Sequence, residues 1–285
     1  MPVAIPSLHA TDSAISEKEI PRTSLHSDKY VRFNAFKELG GEQKVLRAAL
    51  DHIEQVFKQI PPNRYEPATV GRSRCMGRLD LVPHERKIVW RAPEDYDEVS
   101  GLGLTSYDIG QFNPDCPGLR RYFPTLDEVT RSNELLEKMI WLDFDKVKWT
   151  DEELARPITV GVHFLRMRPT EGRTVVGTPD HLHQDGERAT FCHLVSRQNI
   201  VGGDSAIATV SRVGTRPGDE GYPADSILAR FRLEKSLDSW GGIDAEVSHY
   251  VAPVRADDPR CEASRHLIVI GFEYAKNTVS SELSS

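Results

Sequence analysis

The spacing of apolar residues predicts two helices in the first half of the chain. Across residues 29–60 apolar side chains recur at steps of three and four, the period of one helix face, until Pro61-Pro62 interrupts them. A similar apolar side runs through residues 126–148. The apolar positions are Val45, Leu46, Leu50, Ile53, Val56 and Phe57 in the first helix and Leu135, Leu136, Met139, Ile140 and Leu142 in the second. Each helix has one polar face, so we expect both to pack against a sheet.

A different pattern, typical of short strands, begins at residue 157. β-Branched and aromatic residues are concentrated in segments that glycine-rich turn sequences, such as NIVGGD and DSWGGID, separate. The earlier segments RSRCMGRLDLVP and KIVWRAP have the same character. The later ones are ITVGVHFLRMRP, RATFCHLVSR, DSAIATVSRV, ARFRLEK, AEVSHYVAPV and RHLIVIGFEY. This order predicts a mainly β fold with flanking helices (α+β) and a double-stranded β-helix, or jelly roll, as its core.

The order of these elements predicts one domain behind a short leader. Residues 1–28 are polar, and we expect them to be flexible. Residues 29–285 form the single domain, with a helical and mixed part at 29–156 and the jelly-roll core at 157–275. We expect the helices to support the sheet rather than to form a separate unit.

Composition narrows the class of protein without naming an activity. The net charge is −7 and the basic residues are scattered, which argues against a nucleic-acid partner. No apolar run reaches the length of a membrane span. The four cysteines show no CxxC spacing, which argues against a cysteine-ligated zinc site and favours a reducing, cytoplasmic setting. These features argue against nucleic-acid and membrane partners.

The segment HLHQDGERATFCHLVSR carries the strongest candidate chemistry. In extended chain, residues two apart point to one side, so His183 and Asp185 can both face one metal ion. A distant histidine would complete two histidines and one carboxylate, the ligand set of non-haem Fe(II) oxygenases. His163, His193 and His266 are candidates, but His249 lies in a later strand, where a jelly roll returns beside its earlier strands.

A buried arginine in the last strand would support this interpretation. Arg265 begins the apolar segment RHLIVIGFEY, where a guanidinium can hold a dicarboxylate through two hydrogen bonds. Two other interpretations stay open. One is a binuclear zinc hydrolase, since His181, His183 and Asp185 approach an HxHxDH motif, although Gly186 replaces its last histidine. The other is a non-catalytic β-sandwich binding module in which these residues lie on an ordinary loop.

Several stretches resemble a known enzyme family. HLHQDGERATFCHLVSRQNIVGGDS, SHYVAP and RHLIVIGFEY, with RSRCMGRLDLVP, FNPDCPGLRRYFPTL and VHFLRMRP upstream, are similar to the Fe(II)/2-oxoglutarate-dependent dioxygenases of the L-isoleucine 4-hydroxylase type. The resemblance implies a double-stranded β-helix that binds Fe(II) through His183, Asp185 and His249. It implies 2-oxoglutarate and O2 as co-substrates, with Arg265, and in a weaker analogy His193, binding 2-oxoglutarate.

The resemblance also implies a substrate class. Enzymes of this type act on free aliphatic L-amino acids, and fungal relatives in natural-product pathways close an aziridine ring on valine or isoleucine instead of hydroxylating. The substrate carboxylate needs a cation, and Arg74 and Arg166 are favoured because they lie in predicted strands that match family positions. The full set of candidate cations is Arg72, Arg74, Arg78, Arg120 and Arg166. Phe164 and Phe112 are candidates for an apolar pocket wall.

Overall fold

The computed structural model describes residues 23–66, 70–107, 119–170, 172–177, 179–218 and 226–274. Most of the predicted leader and Phe112 lie outside these residues. The strands are β1 (Tyr30–Asn34), β2 (Arg72–Val82), β3 (Lys87–Trp90), β4 (Asp95–Tyr96), β5 (Gly103–Tyr107), β6 (Arg121–Pro124), β7 (Ile158–Met167), β8 (Ala189–Gln198), β9 (Ile200–Gly202), β10 (Asp204–Thr209), β11 (Ile227–Arg232), β12 (Asp238–Gly242), β13 (Val247–Val251), β14 (Val254–Ala256) and β15 (Ser264–Phe272). The helices are α1 (Ala35–Glu38), α2 (Gln43–Gln59), α3 (Glu128–Arg131), α4 (Glu134–Lys146) and α5 (Asp151–Leu154).

Two antiparallel sheets form the core, as the sequence predicts. The large sheet has the strand order β1-β12-β8-β15-β7-β2-β3, and the small one has the order β11-β10-β13, with the β14-β9 pair continuing from it. The two sheets face each other across a cavity that strands of both line. This is the predicted mainly β jelly roll with flanking helices. The predicted division at residues 156 and 157 separates β2 and β7, which are hydrogen-bonded neighbours, so the N-terminal part extends the core sheet.

Alternate residues of the large sheet belong to two different hydrophobic clusters. On one face, Phe164 of β7 and Ile268 of β15 pack with Leu46 and Phe57 of α2 and with residues of α4. On the other face, residues of the same strands, such as Leu165, pack toward the small sheet. Because successive strand residues point to opposite faces, a shift of one position exchanges helix-facing and cavity-facing side chains. No helix in the described part of the chain has the length and apolar character to cross a membrane.

Three predicted elements differ from the structure. The first predicted helix begins at residue 29, but Tyr30–Asn34 form β1, whose alternating burial follows from pairing with β12. The segment DSWGGID, predicted as a turn, contains β12, which lies between β1 and β8 in the large sheet. The segment predicted as the second helix forms two helices, α3 and α4. Asn133 is the N-cap of α4, because its side chain accepts a hydrogen bond from the N–H of Leu136.

Candidate metal centre and cavity

Two predicted metal ligands, His183 and His249, are neighbours through an isolated backbone pairing. The N–H of each donates to the carbonyl of the other, at 3.0 and 2.9 Å, and the ring centroids are 4.2 Å apart. The Asp185 carboxylate lies 3.8 Å from Nε2 of His183 and 3.4 Å from Nε2 of His249. One ligand atom from each residue lies within 4.8 Å of the others. The structure thus brings the three residues together, and two imidazoles with one carboxylate suit a divalent transition metal.

A buried carboxylate fixes the turn that carries Asp185. Asp244 accepts hydrogen bonds from the backbone N–H groups of Asp185, Gly186 and Glu187, at 2.9, 2.7 and 3.3 Å. Gly186 has a φ of 78°, in the left-handed region that glycine adopts without strain, and the three N–H groups converge there. Sequence analysis missed Asp244, because it lies in the segment interpreted as a turn. An aspartate two residues after a pair of glycines is too common in sequences to identify this role.

Burial and mutual charge set the protonation of the three clustered residues. Burial, and then the neighbouring His249, lower the pKa of His183 to about 4, so this imidazole is neutral and able to ligate at pH 7. Its Nδ1 lies 3.0 Å from the His181 carbonyl, which favours a proton on Nδ1 and leaves Nε2 as the ligand atom. Burial opposes charge on Asp185, but the histidines outweigh it and hold its pKa below the usual range. Burial lowers the pKa of His249, and Asp185 more than reverses that effect.

Arg265 lines the same cavity with a guanidinium that lacks partners. It is 1% exposed, and its Nε and Nη1 find no hydrogen-bond acceptor among the described residues. Burial lowers its pKa to about 10, so it remains charged at neutral pH. Gly203 provides the space, since a Cβ there would lie 3.3 Å from Cζ of Arg265. A buried cation with unused donors fits an anionic ligand, here a carboxylate.

The cavity between the sheets encloses about 790 Å³ of space, including its opening to solvent. Charged and polar side chains are set into an apolar and aromatic wall, which is the usual composition of a small-molecule site. The apolar and aromatic lining residues are Tyr107, Leu165, Trp240, Tyr250, Val251, Leu267 and Val269. Phe164, a predicted wall residue, lies on the opposite face of β7 and stacks on Phe57, with ring centroids 4.9 Å apart.

Arg74 is the favoured substrate cation that faces the cavity. Its Cζ lies 5.3 Å from the ring centroids of both Tyr107 and Phe123, which hold it by cation–π contacts. Within the described ranges no carboxylate forms an ion pair with it. Arg120, by contrast, is exposed.

Two other candidate cations already have protein partners. Arg72 forms an ion pair with Glu66 and donates to the carbonyls of Val176 and Gly177. Arg78 forms an ion pair with Glu273 at 3.1 Å. Their charges are therefore compensated within the protein, and Arg74 is the better placed candidate.

Arg166 does not face the cavity, in contrast to the prediction. Its Nη1 donates to the carbonyls of Phe57 and Lys58 at 2.8 and 2.9 Å, and its Nη2 to that of Ile60 at 2.7 Å. These carbonyls lie at the C-terminal end of α2, where no N–H of the helix is available to them and a cation is favoured. The position of Arg166 on the helix-facing side of β7 therefore gives it a structural role in place of substrate binding.

His193 also lies on the helix-facing side, and this corrects its predicted contact with 2-oxoglutarate. It is fully buried between Asp143 of α4 and Ser239 of β12, and each of its ring nitrogens lies 2.8 Å from one of these side chains. Its neighbours Cys192 and Leu194 belong to the cavity-side cluster. Strand alternation thus turns His193 away, and it ties α4 to the sheet.

The other histidines considered as a third ligand lie apart from the cluster. His163 lines the cavity, but its ring packs over Gly161 and against Tyr107, with centroids 4.7 Å apart. His266 faces α2 and stacks on Phe57. In the described part of the chain, His183, Asp185 and His249 form the one group with metal-ligand spacing.

Comparison with known proteins gives a consistent set of relatives. A profile of 2OG-Fe dioxygenases matches residues 54–271. The chain is 30% identical over 164 residues to 3(1)-hydroxy-L-isoleucine 4-dioxygenase of Pantoea ananatis (strain AJ13355), covering 57% of this chain and 61% of that enzyme. It is 28% identical over 166 residues to L-isoleucine-4-hydroxylase of Bacillus thuringiensis, covering 58% and 63%. These matches therefore span about three fifths of each relative.

Solved structures show the same fold. The crystal structure of IDO from Bacillus thuringiensis aligns with a TM-score of 0.65 at 18% identity, covering 88% of this chain and 92% of that chain. At this identity the likeness is evidence for the architecture alone. It agrees with the jelly roll and with the helices that pack on its large sheet.

Proposed function

Because the chain belongs to the 2OG-Fe dioxygenase family, we propose that it oxidises an unactivated C–H bond of a free aliphatic L-amino acid, of the valine or isoleucine type. The reaction is coupled to decarboxylation of 2-oxoglutarate to succinate. The observation that carries the proposal is the cluster of His183, Asp185 and His249, of which Asp185 and His249 line the same cavity as Arg265, whose Nε and Nη1 have no partner among the described residues. The names of the two relatives, which act on isoleucine or its hydroxylated form, support the substrate class.

The family match confirms the predicted enzyme class and its cofactors, which are Fe(II), 2-oxoglutarate and O2. It favours neither the zinc hydrolase nor the binding module. The residues present fit the metal, since two imidazoles and one carboxylate would bind one side of the ion and leave coordination positions for other ligands. Bound iron supplies the oxidising power of the reaction, and the protein supplies binding, orientation and exclusion of water.

Arg265 binds the distal carboxylate of 2-oxoglutarate in this proposal. Its unsatisfied Nε and Nη1 donors match a carboxylate, and a bidentate contact would remove the cost of leaving them unpaired. The apolar side chains of Leu267 and Val269, which follow on the same cavity-facing side of β15, suit the methylene groups of a bound keto-diacid. Arg265 thereby fixes the orientation of the co-substrate relative to the three ligands.

Arg74 binds the carboxylate of the amino-acid substrate. It is a cavity cation in contact with two aromatic rings, which fix its position before a ligand binds. The apolar wall, with Leu165 and Trp240, receives an aliphatic side chain. The outcome is hydroxylation or oxidative closure to an aziridine in a natural-product pathway. The free thiols of Cys75, Cys192 and Cys261 support the predicted cytoplasmic setting.

The test is a substrate screen with product analysis. The protein is loaded anaerobically with Fe(II) and 2-oxoglutarate, mixed with each standard amino acid, exposed to oxygen and assayed for succinate. We expect aliphatic amino acids to stimulate succinate release. A product that gains one oxygen indicates hydroxylation, and one that loses two hydrogens indicates ring closure or desaturation.

A matched pair of variants links the activity to the site. His183→Ala should abolish turnover, whereas His181→Ala should retain it, because His181 contributes its backbone carbonyl and not its ring to the cluster. Wild-type protein that releases no additional succinate with any amino acid would overturn the proposal.

A further inference from the structure

The metal centre leaves one buried acid of the cavity without a role. Glu187 follows Asp185 by two residues, is 8% exposed and lines the cavity. Its carboxylate accepts a hydrogen bond from the Thr190 hydroxyl at 3.0 Å. It does not belong to the group of ligand atoms formed by His183, Asp185 and His249. A function other than metal binding must therefore account for its position.

The sheet makes room for the Glu187 carboxylate. Gly271 lies on the cavity-facing side of β15, in the alternating series that includes Leu267 and Val269, and pairs with Thr190 of β8. A side chain at Gly271 would overlap both carboxylate oxygens of Glu187. The Glu187 carboxylate therefore lies against the backbone of β15 at Gly271, and the hydrogen bond from Thr190 orients it.

No cation of the protein pairs with this acid. Among the residues that the structure describes, no lysine, arginine or histidine forms an ion pair with Glu187. Arg78 is already paired with Glu273, and Asp244 is bound by backbone N–H groups. A buried acid without a cation partner is stabilised when a ligand brings a positive charge to it.

The position of Glu187 separates it from the 2-oxoglutarate end of the cavity. Arg265 and Gly271 are six residues apart on one extended strand, so about 20 Å of β15 lies between them. Arg74 lines the same cavity as Glu187, and the rings of Tyr107 and Phe123 contact its guanidinium. The cavity therefore holds a cation and an acid that form no ion pair within the described residues, and together they complement a zwitterion.

We propose that Glu187 binds the α-ammonium group of the substrate while Arg74 binds its α-carboxylate. This inference rests on the proposed function, because it assumes an amino-acid substrate. A cationic group on β2 and an acidic group on the turn before β8 recognise the α-amino acid group itself and leave the apolar wall to select the side chain. Carboxylic acids that lack the amine leave Glu187 buried and unpaired, and are rejected for that reason.

The experiment combines a protein change with a substrate change. Wild type and Glu187→Gln are loaded anaerobically with Fe(II) and 2-oxoglutarate, and binding of L-isoleucine and of 3-methylpentanoate, which lacks the amine, is measured by calorimetry. We expect Glu187→Gln to weaken L-isoleucine binding roughly 10- to 100-fold and to leave 3-methylpentanoate binding within about threefold. Glu187→Asp, which retains the charge, should recover part of the loss. Glu246→Gln, at an exposed ion pair, is the control.

The outcomes separate the two proposals. Equal weakening for both ligands, or no weakening for either, overturns the role of Glu187 while the proposed function stands. Wild-type protein that neither binds nor oxidises L-isoleucine, L-valine or L-leucine overturns the proposed function, and the role of Glu187 with it. The charge-transfer absorbance of the Fe(II)–2-oxoglutarate complex, unchanged in Glu187→Gln, shows that the variant is folded and loaded.

Discussion

Two buried arginines on neighbouring strands of the large sheet differ in the hydrogen-bond partners of their guanidinium groups. In the β15–β7 register Arg265 pairs with Met167, while Arg166 pairs with His266, so the two guanidinium groups leave opposite faces. Arg166 donates to three carbonyls at the C-terminal end of α2. Arg265 faces the cavity, and two of its donors have no partner among the described residues. Burial of an arginine is thus no sign of function by itself, whereas burial with unused donors beside a cavity is.

The largest expected effect is on the cavity side. Arg265→Met should weaken 2-oxoglutarate binding roughly 100- to 1,000-fold, because a bidentate charged contact is lost from a buried site. The free energy of unfolding should stay close to that of the wild type, since the substitution removes donors that had no partners. Anaerobic titration of the Fe(II) complex with 2-oxoglutarate measures the first effect and urea unfolding the second. An affinity within threefold of the wild type would remove Arg265 from the site.

A substitution on the helix-facing side should lower stability and leave ligand binding unchanged. Arg166→Met should lower the free energy of unfolding by about 3 kcal/mol, because two buried carbonyls and one partly buried carbonyl lose their donor. Affinity for 2-oxoglutarate and for the amino acid should not change. Arg230→Met, on an exposed position of β11, controls for the loss of a positive charge. A selective loss of amino-acid affinity in Arg166→Met would restore its predicted role in substrate binding.

A smaller effect on metal binding is expected from a residue that orients a metal ligand without being a ligand itself. Asp244→Asn should weaken Fe(II) binding roughly 10- to 100-fold, because the amide cannot accept three N–H groups as well as the carboxylate and the turn that carries Asp185 loosens. Competition with a chelator measures the affinity. Asp238→Asn is the matched control, since Asp238 accepts two backbone N–H groups away from the cavity. Equal losses in the two variants would refute a specific role of Asp244.

The smallest effect is a pH dependence on the helix side. Burial, and then Arg166, Lys58 and Arg168, lower the pKa of His266 to about 4, so the folded protein favours the neutral ring. Stability from this residue is full above pH 6.5 and is lost as the pH falls toward 4, because the unfolded chain binds the proton first. His266→Gln should remove about 2 kcal/mol of the difference in unfolding free energy between pH 7 and pH 4. Denaturant unfolding at both pH values, in wild type and variant, measures it.

Part of the fold followed from local pattern. The strands around His163, Cys192 and Leu267 were predicted within a few residues, because β-branched residues and turn signals mark them regardless of their partners. β1 and β12 were missed. In β12, Gly241 looks like a turn residue, but in the structure it lets the Phe191 ring pack against the strand, and that contact comes from a residue 50 positions away.

The sequence by itself determined the metal-ligand candidates. His183 and Asp185 share a side because extended chain repeats every two residues, and His249 was the favoured one among four distant candidates for the third ligand. Tertiary structure decided which side each strand presents to the cavity. His193 and Arg166 are as buried as His249 and Arg265, and their sequence surroundings are equally apolar. A strand has two faces of equal local character, and only its pairing and the helices packed on one face distinguish them.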